Sequence, residues 1–99
     1  MEASEARPGQ RLVSDSEPEL GLGILLRVEG LRVEVFFPAA GEHRQYSLET
    51  APLRRVRFKE GDRVRLHAGR QILVEAVREE GGLLVYWDGI EDHPESTLA

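Results

Sequence analysis

The 99-residue chain carries 18 acidic and 13 basic side chains, a net charge of −5, and no cysteine. Without cysteine there is no disulfide framework and no thiolate metal site. Its longest apolar stretch, around 21–26, is far too short for a membrane span, and the acidic start lacks the apolar run of a secretory leader. A net-negative chain is also a poor default ligand for nucleic acid, whose affinity comes mainly from Lys and Arg.

Taken in chain order, residues 1–8 read as a disordered arm, with small and charged side chains and little to bury. Strands are expected near Gln10–Asp15, Leu22–Glu29, Arg32–Phe37, His43–Leu48, Arg54–Phe58, Asp62–Leu66, Ile72–Arg78 and Leu83–Trp87. β-Branched and aromatic residues gather there, and Arg32–Val35 and Arg63–Leu66 alternate polar with apolar. Val28–Leu31 and Glu79–Gly82 read as tight turns with glycine available for positive φ. Pro38–Glu42 reads as a longer hairpin loop. No segment sustains a helical period. The best helical candidate is Ser14–Leu20, with Ser14 and Glu17 as a capping box, and Pro18 limits it to about one turn.

The chain repeats itself. Gly9–Gln10–Arg11–Leu12–Val13 matches Gly61–Asp62–Arg63–Val64–Arg65, and in each copy an apolar run, a glycine turn and a second apolar run follow. This predicts an all-β chain of two small bent antiparallel sheets: a first unit over 9–50, a connector over 51–60 and a second unit over 61–99. Units this small sit near the lower limit for independent stability, so shared apolar surface is expected between them.

Four ordered motifs carry a resemblance. They are G-Q-R-x-x-S-D-S-E-x-E-L-G-L-G at Gly9–Gly23, F-P-A-x-G-E-x-R-x-Y at Phe37–Tyr46, A-P-L-x-R-V-R-F-x-x-G-D at Ala51–Asp62 and V-E-x-V-x-E-x-x-G-L-L-x-Y at Val74–Tyr86. From Gly9 to about Tyr86 the chain resembles the N-terminal region of the RapA (HepA) family of bacterial RNA polymerase-associated, Swi/Snf-type ATPases. The resemblance implies two tandem Tudor-like (KOW/SH3-like) sheets. It also implies a non-catalytic docking and regulatory role in a transcription-recycling ATPase, a bacterial cytoplasmic location with the nucleoid, and two partners: RNA polymerase and the ATPase lobes of the same parent chain. ATP and Mg²⁺ would belong to that parent. This chain has no G-x-x-x-x-G-K-[ST] phosphate loop, and its only lysine is Lys59, so no cofactor is expected here. It ends at Ser96–Ala99 where the family's second unit would continue into another strand, which points to a fragment.

The candidate contact residues follow from charge and aromatic placement. Over 54–70 seven basic side chains stand against two acidic ones, a local charge of +5, whereas 79–95 holds six acidic side chains and no Lys or Arg. Arg54, Arg55 and Arg57 in the connector, with Arg63 and Arg65 on one face of their strand, are the candidate partner-binding residues. Arginine suits bidentate pairing with carboxylate or phosphate. The stripe either meets an anionic partner, with RNA polymerase foremost and nucleic acid as a weaker contact, or pairs with the chain's own acidic tail. Phe36–Phe37 and Tyr86–Trp87 are adjacent in strands and so point to opposite faces. Phe36, Phe37, Tyr46 and Phe58 in the first copy, and Tyr86 and Trp87 in the second, are the candidates for a methyl-cation cage. Most of these rings are expected to pack the core or the interface between the copies, which leaves Phe36 and Trp87 as the candidate exposed aromatics for a partner. Asp15, Glu17 and Glu19 read as a solvated loop facing a basic strand rather than a cation loop. His43, His67 and His93 have no paired ligand spacing and read as strand-face or surface residues, so no metal is expected. No nucleophile, acid–base pair or metal set converges, and enzymatic activity is not expected.

Overall fold

The computed structural model describes residues 5–99. It is built of short antiparallel strands and 3₁₀ turns and divides into two units, Met1–Val56 and Arg57–Ala99. No helix among the described residues is long and apolar enough to cross a membrane.

The first unit holds β1 (Arg11–Ser14), β2 (Gly23–Glu29), β3 (Arg32–Phe37), β4 (Glu42–Ser47) and β5 (Leu53–Arg55), in the sheet order β4-β3-β2-β1-β5. The alternation of β3 sends Val33, Val35 and Phe37 inward and leaves Glu34 and Phe36 half-buried on the outer face. Leu12 of β1, Leu25 of β2 and Leu53 of β5 meet them, and Ala6, Leu20 and Leu48 close the core from the connecting segments. A bulge between Leu25 and Arg27 bends β2 and turns Leu26 outward, 40% exposed. Such a bulge increases local twist, which curves a small sheet over its own core. Arg11 lies in this interior, 1% exposed, and its Nε donates to Gly23 O at 3.0 Å.

The second unit holds β6 (Arg63–Arg65), β7 (Gln71–Leu73), β8 (Ala76–Glu80), β9 (Leu83–Trp87) and β10 (Asp92–Pro94). β6 and β7 form a two-stranded ribbon, and β8, β9 and β10 form a sheet with β9 in the middle. Val64, Ile72, Val74, Leu84, Tyr86 and Leu98 make its core, with Phe58, Leu66 and Val77 packed against it.

The sequence repeat is a repeat of hydrogen bonding. Gly9 donates to Leu25 O at 2.8 Å and Leu25 donates back to Gln10 O at 2.9 Å; Gly61 donates to Val74 O at 2.8 Å and Val74 donates back to Asp62 O at 2.9 Å. Both glycines adopt left-handed φ, +96° and +91°. The far ends repeat too. Asp15 donates to Pro52 O where β5 joins β1, and His67 donates to Thr97 O beside the antiparallel bridge Leu66–Leu98.

Several elements depart from the sequence expectation. The arm expected over 1–8 lies partly outside the described residues; within them Ala6 is buried in the core, 2% exposed, and Gln10 Nε2 donates to Glu5 O at 2.7 Å. The connector expected over 51–60 contains β5, because Leu53 supplies apolar area that the first sheet needs, and the boundary between units falls after Val56. The single strand expected over Ile72–Arg78 is two. β7 pairs with β6 and β8 with β9, and the path turns at Val74–Glu75. β10 was not expected at all, since Asp92–His93–Pro94 lacks strand-forming side chains and is placed by its pairing with β9. The Ser14 cap exists, with Glu17 N–H donating to Ser14 Oγ at 3.1 Å, but it opens only the 3₁₀ turn Pro18–Leu20. The last residues form a 3₁₀ turn over Glu95–Thr97 and then the bridge at Leu98, which is buried.

Gly23 sits where a Cβ would lie 2.7 Å from Phe37 Cε1 and 2.8 Å from Val35 Cγ1. Gly23→Ala should therefore destabilise the first unit by about 1–3 kcal/mol through overpacking. Hydrogen exchange of the β1–β3 amides measures this, and unchanged protection would refute the tight approach.

Candidate interaction surfaces

The arginines singled out from the sequence divide between the two units. Arg54 lies on edge strand β5, where its Nε meets Asp15 Oδ1 at 3.1 Å. Arg55 on the same strand is half-buried and already engaged. Neither lies in a connector, so two of the residues expected to reach a partner are held in the first unit's own edge. Arg57 opens the second unit and is exposed.

Arg63 and Arg65 stand on the outer face of β6, with Val64 buried between them. Their cross-strand neighbours on β7 are Leu73 and Gln71, both exposed, Leu73 by 45%. No carboxylate among the described residues pairs with the side chains of Arg57, Lys59, Arg63 or Arg65. Arg57, Lys59 and Glu60 edge an open recess of about 370 Å³ with Phe58 and Val77. The second unit thus presents four unpaired cations beside apolar surface. Arg70 is the member of the basic stripe that turns to the acidic tail, meeting Glu91 at 2.9 Å and Asp88 at 3.3 Å. Other tail carboxylates find different partners. Asp92 pairs with Arg78 at 2.6 Å, and Glu95 is fully buried and accepts the Leu84 N–H.

The acidic loop behaves as a solvated counter-ion set. Asp15 reaches Arg54, and Glu17 reaches Arg44 at 3.3 Å. The rings do not form a cage. Phe37 and Tyr86 are fully buried, Tyr46 packs against the first core, and Phe58 sits edge-on to Tyr86 at 6.0 Å. Phe36 and Trp87 remain, each half-buried and in different units. Phe36 stacks on His43 at 4.5 Å, and His43 Nδ1 lies 3.4 Å from Glu34.

Sequence reasoning missed one cluster. His93, expected on a strand face or at the surface, lies on β10 and is buried, with Nε2 2.8 Å from Asp88 Oδ2. Asp88, Glu91 and His93 bring ligand atoms within 4.8 Å of one another. Arg70 already lies against both carboxylates, and Asp88 Oδ1 accepts the N–H groups of Ile90 and Glu91 at 2.8 Å each. A positive side chain already occupies the ground between the carboxylates, so the set works as a loop hub rather than as a cation site. The Asp-Gly dipeptide followed by Glu91 and His93 was the legible signal.

The family comparison agrees with these boundaries. The model described as "RapA N-terminal Tudor like domain 1" matches residues 7–56, and "RapA N-terminal Tudor like domain" matches 58–99. The chain belongs to the RapA N-terminal Tudor-like family. Its two Tudor-like domains account for nearly the whole chain, so these 99 residues hold no catalytic domain. It is similar to the RNA polymerase-associated protein RapA of Pseudomonas aeruginosa (strain LESB58), 46% identical over 98 residues, which are 99% of this chain and 10% of that protein. RapA of Pseudomonas putida (strain GB-1) is 49% identical over 84 residues, 85% of this chain and 9% of its own length. RapA of Pectobacterium carotovorum is 53% identical over 78 residues, 79% of this chain and 8% of its own length. The chain spans about a tenth of the relatives it matches.

Asp88 is held below the usual 3.8 first by the Glu91 N–H, then by His93 and the Ile90 N–H, and Asp92 is lowered mainly by Arg78. A carboxylate lowered on folding stabilises the fold above its unfolded pKa, and that contribution disappears as pH falls through the folded value. The second unit, followed by urea unfolding of Trp87 fluorescence, should lose stability progressively below about pH 4. Asp88→Asn should start lower and fall less steeply; parallel curves would refute the hub.

Proposed function

We propose that this tandem module docks a RapA-type ATPase on RNA polymerase and restrains the ATPase lobes of the same parent chain, with no chemistry of its own. The carrying observation is the unpaired set Arg57, Lys59, Arg63 and Arg65 on the second unit, beside exposed Leu73 and the Phe58–Val77 recess. Unpaired arginines on a folded surface keep their five donors for a partner, and carboxylates are the planar acceptors they fit best. Apolar area among them favours a protein surface over a phosphate backbone. The polymerase itself comes from the names of the relatives, each an RNA polymerase-associated protein. We place the module in the bacterial cytoplasm with the transcription machinery on the same ground.

Nucleic acid is the second reading, favoured by the same four cations and opposed by the net charge of −5. The two readings part on salt. Phosphate contacts make log affinity fall steeply with log salt, by roughly 0.7 to 0.9 per phosphate neutralised.

The double change Arg63→Glu, Arg65→Glu should weaken capture of core RNA polymerase by the chain at least about tenfold, the scale of removing two charge-assisted contacts at a protein interface. Unchanged capture would refute the surface. In the full-length protein, equal polymerase binding and equal ATPase rates with and without residues 1–99 would refute the function. Strong RNA binding that vanishes with salt would move the assignment to the second reading.

A further inference from the structure

The most exposed large apolar side chain of the described residues is Ile90, 85% exposed, at the tip of the loop between β9 and β10. A single exposed isoleucine is ordinarily unremarkable on a flexible loop. This loop is fixed at both ends and through its middle. Asp88 uses both carboxylate oxygens: Oδ1 accepts the Ile90 and Glu91 N–H groups, and Oδ2 meets His93 and Arg70. Asp88 N–H donates back to Glu91 O at 3.2 Å, and Arg70 reaches in from the β6–β7 turn to hold Glu91 at 2.9 Å. Gly89 adopts φ +95°, and a Cβ there would run into the Glu75 carboxylate. The Asp88 side chain is 8% exposed, so the hub is sheltered while the tip is not.

We infer that Ile90 is a preorganised anchor that inserts into an apolar socket edged by basic side chains on RNA polymerase. The inference rests on the docking reading above and adds a second contact, made of different residues. The ordering entropy that binding would charge to a mobile loop is already spent on folding, which is the condition under which one apolar side chain contributes most to affinity. The basic rim follows from charge. Glu75, which lies against Gly89, with Asp88, Glu91, Asp92 and Glu80 carry five negative charges on the loop and its flanks, and Arg70 and Arg78, which pair among them, offset two, leaving −3. Glu75 has no cationic partner among the described residues. An apolar tip in an acidic collar fits a hole with Arg or Lys around its mouth, the arrangement of a buried centre with a polar rim at interfaces.

The experiment measures affinity of core RNA polymerase for the chain and for Ile90→Ala, Ile90→Asp and the Arg63→Glu, Arg65→Glu double variant. Ile90→Ala should weaken binding by roughly tenfold to a hundredfold, the affinity equivalent of burying one isoleucine, and Ile90→Asp by at least that. Neither should move the urea midpoint followed through Trp87, because the side chain supports nothing in its own unit. A photo-crosslinker at position 90 should label a polymerase segment in which apolar residues are flanked by Arg or Lys. Wild-type affinity of both Ile90 variants, with the arginine variant weakened, overturns the anchor and leaves the docking reading standing. A crosslink to an acidic polymerase segment also overturns it. No polymerase binding by the wild-type chain overturns both.

Discussion

Each unit depends on one strand that pairs on both sides of a bend. In the first, β2 joins β1 at its start and β3 along its length, with the bulge at Leu25–Arg27 between; in the second, the same path breaks at Val74–Glu75 into β7 on β6 and β8 on β9. The clamp at the bend is a pair of reciprocal backbone hydrogen bonds from a left-handed glycine turn, Gly9–Gln10 with Leu25 and Gly61–Asp62 with Val74. Without the bend, short flat sheets would have one face in water and no enclosed core. With it, so few residues enclose cores as small as six buried side chains, as in the second unit.

Once the cores are closed, the charges separate into two kinds. Arg44, Arg54, Arg70 and Arg78 each reach a carboxylate and are more than a third exposed, so they set local geometry and contribute little to stability. Among the described residues, Arg57, Lys59, Arg63 and Arg65 have no such partner, and all four are exposed. Their isolation comes from strand direction. On β6 the period of two puts both arginines on the face opposite Val64, and across the ribbon that face meets Leu73 and Gln71 rather than an acid.

The β9–β10 loop follows another rule. A carboxylate that accepts two backbone N–H groups, a histidine and an arginine cannot move without breaking several bonds together. That hub holds buried His93 and the loop in place, yet the core it borders contains neither Asp88 nor Ile90, so the exposed Ile90 tip adds nothing to the packing.

The repeat and the alternation of Arg32–Phe37 and Arg63–Leu66 were enough to read an all-β chain of two bent sheets, and Arg32–Phe37 and Leu83–Trp87 coincide with strands. Local pattern carries that much because strand period and turn glycine are properties of adjacent residues. Burial of single polar residues was not legible. Arg11 and Arg63 hold the same place in the repeat, yet Arg11 is 1% exposed and hydrogen-bonded inside a five-stranded sheet, whereas Arg63 faces solvent on a two-stranded ribbon. Glu95 belongs to an acidic run and is fully buried, while Arg54 belongs to the basic stripe and is spoken for by Asp15. The sequence by itself therefore determined the periodic backbone, the duplication and the family. Only the tertiary structure decided which charges are satisfied, because that depends on neighbours far along the chain, brought together by the bend.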